Sequence, residues 1–139
     1  MLTGLAHVDL ACRDVERSIA FYLAVLGPLG LQAPPVTFEG EQGETISYLR
    51  FPEAGSGSIG LRAASVEQDF ALYAPGLHHV AFAVATPDDV RVAHGGAVHE
   101  GAEIVHPPTP FPRYHPDYFA TFFLDPDGFR VEVRSRQAT

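Results

Sequence analysis

The sequence is poor in residues that crosslink a chain or bind polyanions. Its 139 residues include a single cysteine, Cys12, so no internal disulfide can form. Because Cys12 lies in an apolar stretch, we expect a buried structural thiol rather than a nucleophile. Lysine is absent, and nine arginines oppose 17 acidic residues, which gives a net charge of -8. Such a surface repels nucleic acid and anionic membranes, so we expect neither as a partner.

Long apolar runs are also missing. No stretch approaches the ~20 apolar residues that span a bilayer. The N-terminus lacks a basic segment followed by an apolar run, so we expect no signal peptide and a cytoplasmic location. The chain is 46% hydrophobic, which is enough for one globular domain, residues 1–139, with a core of its own.

The sequence does contain an internal repeat. The segments "GLAHVDLAC" (residues 4–12) and "GLHHVAFAV" (residues 76–84) both read as apolar strands with a histidine near the start. A shift of 72 positions places His7 on His79 and continues into the next element. A unit of this size cannot enclose a core alone, so the two copies are expected to pair.

Each copy continues with a helix and three strands. The helices are predicted to begin at Asp14 and Thr86 and to end at Gly27-Pro28 and Gly101. The strands are predicted near Val36–Phe38, Thr45–Phe51, Ser58–Ala63, Glu103–His106, Tyr118–Leu124 and Phe129–Ser135. The fold class is therefore α+β, with two tandem βαβββ modules (residues 1–64 and 77–139) and a linker (residues 65–76).

Strand alternation predicts which side chains face away from the helices. Val8, Leu10 and Cys12 should pack against the helices, which turns His7 and Asp9 to the other face. The same rule turns His79 away from the helices and places its neighbour His78 on the packing side. Both aligned histidines are therefore expected to face whatever the two sheets enclose.

Three segments carry a resemblance to a known family: "HVDLACRDVERSIAFYLAVLG", "HHVAFAV" and "FFLDPDGFRVEV". With them the chain resembles the vicinal oxygen chelate superfamily, which includes glyoxalase I, type I extradiol dioxygenases, fosfomycin-resistance thiol transferases and bleomycin-resistance proteins. The resemblance implies a cupped mixed sheet around a central cavity, a small-molecule substrate and a homodimer. It also implies a divalent metal ion held by a histidine on the first strand of each module and a glutamate on the last strand, which are by position His7, His79 and Glu132.

The chemistry of these three residues agrees with a metal site. Two imidazoles and one carboxylate suit first-row divalent metals and leave coordination positions open for substrate or oxygen. We expect Fe2+ or Mn2+, with Zn2+ and Ni2+ as alternatives. Glyoxalase I has a second acidic ligand in the first module, where this chain aligns Gly60 or, with a shift of one residue, Leu61. Neither binds metal, so three ligands favour a dioxygenase-like or thiol-transferase-like site.

A proline-rich loop supplies further candidates. The segment "TPFPRYHPDYFATFF" (residues 109–123) contains His115 and Tyr118. The resemblance makes these two the candidate catalytic residues, because dioxygenase members use a histidine and a tyrosine near the metal in acid/base and oxygen-stabilising roles. Simpler interpretations stay open at this point. The two histidines could be strand-end residues bonded to backbone, and Glu132 between Arg130 and Arg134 could belong to a solvated row of charges.

The sequence therefore predicts a metal-dependent small-molecule enzyme, most readily dioxygenase-like. One alternative is a thiol transferase or a glyoxalase-like isomerase, in which Asp9 or a partner chain supplies the missing acid. Another is a metal-free binder of the bleomycin-resistance kind, in which acidic charge attracts a cationic drug and aromatic side chains line the groove. The aromatic candidates are Phe111, Tyr114, Tyr118, Phe119 and Phe122.

Overall fold

The computed structural model describes residues 1–137, and Ala138 and Thr139 at the end of the second predicted module lie outside the described residues. Within residues 1–137 there are eight strands and two α-helices. In chain order these are β1 (His7–Cys12), α1 (Val15–Leu26), β2 (Gln32–Glu39), β3 (Thr45–Arg50), β4 (Ser58–Ala63), β5 (Val80–Ala83), α2 (Pro87–His99), β6 (Ile104–Pro110), β7 (Phe119–Leu124) and β8 (Arg130–Ser135).

The strands form two four-stranded mixed sheets with the same topology. The first sheet has the order β1-β4-β3-β2 and the second has the order β5-β8-β7-β6. In each sheet the first and last strands of the module run parallel, and the other neighbours run antiparallel. This pattern confirms the predicted α+β fold built from a pair of βαβββ modules.

Side-chain caps explain where the helices begin. The Asp14 carboxylate accepts a hydrogen bond from the backbone N–H of Arg17 at 3.1 Å, which satisfies one of the free donors of the first turn of α1. Thr86 and Asp89 form a reciprocal capping box at the start of α2. Both starts agree with the sequence prediction. Within the described residues, no helix combines the length and apolar character that crossing a lipid bilayer requires.

The end of α1 differs from the prediction. Gly27 keeps a right-handed helical conformation, and the chain continues through a short 3-10 turn over Gly27–Leu29. The left-handed position falls on Gly30, with φ of 109°, where glycine avoids the strain that a Cβ would cause. Pro28 does not interrupt the turn, because it lies in the first turn of a helix, where a backbone N–H has no partner within the helix. Gly101, with φ of 73°, ends α2 as predicted.

Strands β2 and β6 are longer than predicted for one shared reason. Both contain consecutive prolines, Pro34-Pro35 and Pro107-Pro108, which lie just outside the predicted strands. Each of these strands is the outermost of its sheet, so its outer backbone groups need no partner. The pairing registers of β2 and β6 shift near these prolines.

The two modules share one hydrophobic core. Helices α1 and α2 pack against each other, and the Phe21 ring of α1 lies 6.1 Å from the Phe123 ring of β7. Leu10 and Cys12 are buried on the helix side of β1, as predicted. Burial raises the pKa of the Cys12 thiol to about 11, which agrees with a structural role.

The linker between the modules is fixed by Arg13. The guanidinium donates to the Glu67 carboxylate at 2.6 Å, to the Gln68 carbonyl at 2.8 Å and to the Asp69 carboxylate at 3.1 Å. The backbone N–H of Arg13 donates to Asp127 at 2.9 Å, in the turn before β8. Arg13, the residue that follows β1, therefore connects the linker to the second module.

A buried hydrogen bond connects the two modules: the Tyr22 hydroxyl donates to the Asp125 carboxylate at 2.7 Å. The relative exposures of Tyr22 and Asp125 are 1% and 5%. Tyr22→Phe leaves one carboxylate oxygen in the core without its donor, so the free energy of unfolding should fall by about 1–3 kcal/mol. Urea denaturation followed by circular dichroism measures this change.

Tyr73→Phe is the matched control because Tyr73 is 86% exposed. It should leave the urea midpoint unchanged. Equal midpoints for the Tyr22 and Tyr73 variants would show that the buried hydrogen bond does not stabilise the fold.

Candidate functional site

The parallel pairing of β5 with β8 sets the position of Glu132. Ala81 of β5 is opposite Glu132, Glu132 is opposite Phe122 of β7, and Phe122 is opposite His106 of β6. These residues form one row across the face of the second sheet that points away from the helices. Glu132 is only 3% exposed, so the interpretation as a solvated row of charges is wrong for this carboxylate.

Two side chains contact the Glu132 carboxylate, and a third extends this hydrogen-bonded chain. Nε2 of His79 lies 3.0 Å from one carboxylate oxygen, and the Tyr118 hydroxyl donates to the other. Nδ1 of His79 lies 2.7 Å from Nδ1 of His78. A carboxylate without a proton only accepts hydrogen bonds, so this contact requires a proton on Nε2 of His79, and a His79 with one proton then accepts at Nδ1 from His78.

Tyr118 is held in its protonated form. Burial, the hydrogen bond to Glu132 and the charge of that carboxylate together raise the pKa of Tyr118 to about 12. The phenol therefore keeps its proton at neutral pH and donates a hydrogen bond to Glu132. This residue, predicted as catalytic from the sequence, lies beside the predicted metal ligands His79 and Glu132.

The site lies in a pocket of about 370 Å³ on the open face of the second sheet. Its walls are mainly aromatic, and the Phe111 ring contacts the rings of both Tyr114 and Phe122. Two arginines also reach it. The complete lining is His78, His79, His106, Phe111, Arg113, Tyr114, Tyr118, Phe122, Arg130 and Glu132.

The spacing and the chemistry of the His79 nitrogen and the Glu132 carboxylate oxygen fit two ligands of one divalent metal ion. Ligand atoms about 2.1 Å from an ion and at right angles to each other lie about 3 Å apart, and Nε2 of His79 and the Glu132 oxygen are separated by 3.0 Å. An imidazole nitrogen and a carboxylate oxygen suit first-row divalent metals. These two side chains would hold such an ion, which leaves at least one further protein ligand to be supplied.

The third predicted ligand, His7, lies on the other sheet. Its Nδ1 is 2.7 Å from the Asp9 carboxylate, its ring packs edge-on against Tyr48, and its side chain is about half exposed. Within residues 1–137, no group of three or more histidine, cysteine or acidic side chains is arranged to hold a metal ion. One chain therefore brings together His79 and Glu132 but does not bring His7 to them.

The first module has no counterpart of Glu132. The pairing places Gly60 opposite both Asp9 and Tyr48, which selects Gly60 over Leu61 as the aligned position. A Cβ on Gly60 would lie 2.5 Å from a carboxylate oxygen of Asp9. The Asp9 carboxylate thus fills the space that a longer acidic side chain at position 60 would use.

Asp9 is already engaged by its neighbours. Its carboxylate accepts hydrogen bonds from Arg62 and from the Tyr48 hydroxyl, and it contacts His7. Burial alone would raise the pKa of Asp9, but the hydrogen bonds from Arg62, His7 and Tyr48 outweigh it and hold the pKa below its ordinary value. Asp9 is therefore an ionised carboxylate in a network with a cation.

The second predicted catalytic residue, His115, lies in the loop before β7. Its Nδ1 accepts a hydrogen bond from the backbone N–H of Asp117 at 3.2 Å. His115 is not among the residues that line the pocket. The structure therefore brings Tyr118 to the candidate site but leaves His115 in a turn of its loop.

Three pocket residues were missed or misplaced by the sequence analysis. His78 was expected on the packing face, but β5 begins only at Val80, so strand alternation does not apply to it. His106 received no role, although it ends the strand predicted over Glu103–His106. Arg130 was considered only as part of a charge row. Strand pairing across the sheet, which no local pattern encodes, brings all three together.

Sequence comparison identifies the class of protein that this fold and site define. The family model described as Glyoxalase/Bleomycin resistance protein/Dioxygenase superfamily matches residues 4–133. The chain belongs to this superfamily, in agreement with the resemblance read from the sequence. No match was found among curated proteins.

Solved structures show the same fold. A glyoxylase/bleomycin resistance protein/dioxygenase domain from Frankia sp. EAN1pec is 26% identical with a TM-score of 0.79, over 97% of this chain and 93% of that chain. A mutant fosfomycin resistance protein, FosX, from Listeria monocytogenes, complexed with Mn(II) and 1S,2S-dihydroxypropylphosphonic acid, is 19% identical with a TM-score of 0.65, over 96% and 92% of the two chains. A mutant glyoxalase I from Zea mays is 23% identical with a TM-score of 0.69, over 95% of this chain and 46% of that chain.

The hydrogen-bonded chain predicts the proton positions on two adjacent histidines. In the metal-free protein with one proton on each imidazole, His78 should carry its proton on Nδ1 and His79 on Nε2. Long-range proton–nitrogen NMR correlation distinguishes these tautomers. Glu132→Gln should weaken the preference at His79 because the amide can donate to Nε2. A wild-type His79 protonated on Nδ1 would contradict the assigned chain.

Proposed function

We propose that the protein is a metal-dependent enzyme whose site contains His79 and Glu132 of one chain and His7 of a second copy. The observation that carries this proposal is the 3.0 Å separation between Nε2 of His79 and an oxygen of the buried Glu132 carboxylate. Mn(II) in the FosX complex supports a divalent ion in a protein of this fold. Fe2+ and Mn2+ remain the ions that we expect.

The proposed role of a second copy rests on the free sheet edges. Among the described strands, β1 and β5 each have one neighbour, so each exposes an unpaired backbone edge. An open cleft of about 740 Å³ is lined by His7 and by both sides of the β5 strand. Exposed Ala11, Ala81 and Ala83 on these strands present little bulk to an approaching chain.

A two-fold dimer would use both edges at once. Placing β1 of one copy beside β5 of the other satisfies both unpaired edges, because the same contact occurs twice in a symmetric dimer. It would bring each His7 towards the His79–Glu132 pair of the other copy. In this arrangement His7 of the second copy would supply the third ligand, because His7 of the same chain lies on the other sheet.

The proposed chemistry concerns a small molecule with two neighbouring oxygen atoms. A divalent ion at this site acts as a Lewis acid that stabilises negative charge on such oxygens. Tyr118 contributes a fixed phenolic proton next to Glu132 and orients that carboxylate. The aromatic walls of the pocket exclude water and hold the apolar part of the substrate.

Two observations favour a dioxygenase-like site over a glyoxalase-like one. Gly60 stands where the second module has Glu132, and Asp9 is committed to Arg62 rather than free to bind metal. Three protein ligands leave more positions open for substrate and oxygen than four do. We therefore propose dioxygenase chemistry as the first reaction class to assay.

The metal-free drug binder is the second candidate, and the aromatic lining of the pocket favours it. The electrostatics of the pocket do not. Arg113 and Arg130 line it together with a single carboxylate, Glu132, so a cationic drug would meet repulsion. The acidic charge of the whole chain therefore does not describe the pocket itself.

Removing a proposed ligand should abolish metal binding. After anaerobic reconstitution with Fe(II) or Mn(II) and desalting, wild-type protein should retain about one ion per chain, as expected for a three-ligand site. His79→Ala and Glu132→Gln should weaken the affinity by more than the roughly 100-fold loss seen when outer partners of metal ligands are removed. Elemental analysis and calorimetric titration measure both quantities.

The matched control is His99→Ala. Nδ1 of His99 lies 3.2 Å from the Glu100 carboxylate, so it forms a similar histidine–carboxylate contact, but its side chain is 86% exposed. This variant should bind metal as the wild type does. If all three variants retain metal equally, the proposed site is wrong.

Mixing two inactive variants tests whether the site is shared between copies. His7→Ala damages one half of every shared site and His79→Ala damages the other half. Random exchange between the two variants should restore about a quarter of the metal sites, because half of the dimers are mixed and each has one intact site. Metal content after co-refolding is the readout.

A site contained within one chain gives a different result. Each chain would then lack a ligand of its own, and mixing would restore no metal binding. An affinity tag on one of the two variants, with co-purification of the untagged variant, provides the control for subunit exchange.

A further inference from the structure

The pocket around Glu132 carries a charge opposite to that of the chain. The chain has a net charge of -8, yet the described pocket lining contains two arginines and one carboxylate. The Glu132 carboxylate is already engaged by His79 and Tyr118. The local excess of positive charge is therefore available to a ligand.

Arg130 is the cation best placed to bind that ligand. Its guanidinium lies over the Phe122 ring, with Cζ 5.0 Å from the ring centroid. Its Nε is buried and has no hydrogen-bond partner among residues 1–137. Buried polar groups in proteins are almost always satisfied, so an unsatisfied guanidinium donor beside a pocket indicates a missing acceptor.

Three other arginines pair with carboxylates, although the Nε of Arg62 is likewise buried without a partner among the described residues. Arg13 pairs with Glu67, and Arg91 pairs with Asp88. Arg62 pairs with both Asp9 and Glu44. Within residues 1–137, Arg130 forms no such ion pair, although the chain is rich in acidic side chains.

The rest of the pocket suits a flat apolar group. Phe111 and Tyr114 are stacked with ring centroids 5.9 Å apart, and Phe122 meets Phe111 edge-on at 5.5 Å. Rings in these arrangements favour a further aromatic ring over a flexible chain. The volume of about 370 Å³ accommodates a compound with one ring and a few substituents.

We propose that this pocket takes an aromatic carboxylate, with the ring against Phe111 and Phe122 and the carboxylate on the guanidinium of Arg130. A guanidinium presents two parallel donors to a carboxylate, which no single neutral donor matches. This inference rests on the proposed function in that it names the substrate class of the same site. Arg113, at the exposed side of the pocket, adds to the positive field.

The test uses ligand binding to the full chain after treatment with chelator, so that it does not depend on a metal. Benzoate is the probe, benzamide is its neutral counterpart, and acetate is a carboxylate without a ring. NMR titration measures the three affinities. Benzoate should bind roughly tenfold more tightly than benzamide, as expected for hydrogen bonds to a charged group, and more tightly than acetate.

Two variants locate the charge. Arg130→Gln should reduce benzoate affinity roughly tenfold and leave benzamide affinity unchanged. Arg130→Lys should retain part of the benzoate affinity, because the charge remains and the two-pronged geometry is lost. Arg17→Gln is the control: Arg17 is exposed on α1, and its replacement changes the net charge by the same amount without affecting the pocket.

Clear results would overturn the inference. Equal affinities for benzoate and benzamide in the wild type would do so. A folded Arg130→Gln protein that binds benzoate as tightly as the wild type would also do so. Because chelator is present, failure of the metal proposal leaves this test unaffected. Metal binding without preference for benzoate would overturn the substrate class alone.

Discussion

In each module the first strand pairs in parallel with the last, and the candidate site depends on this pairing in the second sheet. It places Glu132 of β8 beside Ala81 of β5, close to the histidine that precedes the strand. A parallel connection needs a long crossover, which α2 and the β6–β7 hairpin provide. A slip of one residue would turn Glu132 into the core and separate it from His79.

The two modules use the same topology for different chemistry. In the second, the buried Glu132 carboxylate accepts hydrogen bonds from His79 and Tyr118 and faces an aromatic pocket. In the first, Gly60 leaves room for Asp9, whose carboxylate is neutralised by Arg62. Both of these carboxylates thus accept hydrogen bonds from neighbouring side chains, because an unpartnered charge would destabilise the fold. An acidic group therefore lies next to the histidine in both modules, but Asp9 is paired with Arg62 whereas Glu132 is held by His79 and Tyr118.

The distribution of charge separates the surface from the site. Acidic residues dominate the composition, but arginines line the pocket, so net charge alone predicts the wrong sign for a ligand. Among the described residues, most acidic side chains lie on loops and helix ends, where water screens them. Arg130 lies on a central strand beside aromatic rings, where a low local dielectric strengthens its attraction for an anion.

The sequence by itself determined the repeat, the N-caps of both helices and the faces of β1 and β5, because these follow from local periodicity and backbone hydrogen bonding. It also named His79, Glu132 and Tyr118 through the family resemblance. It did not determine that His106 and Arg130 share the pocket, that His115 stays in its loop, or that Gly60 faces Asp9. Those facts were decided by strand register and module packing, since contacts between residues far apart in the chain form only when the sheets assemble.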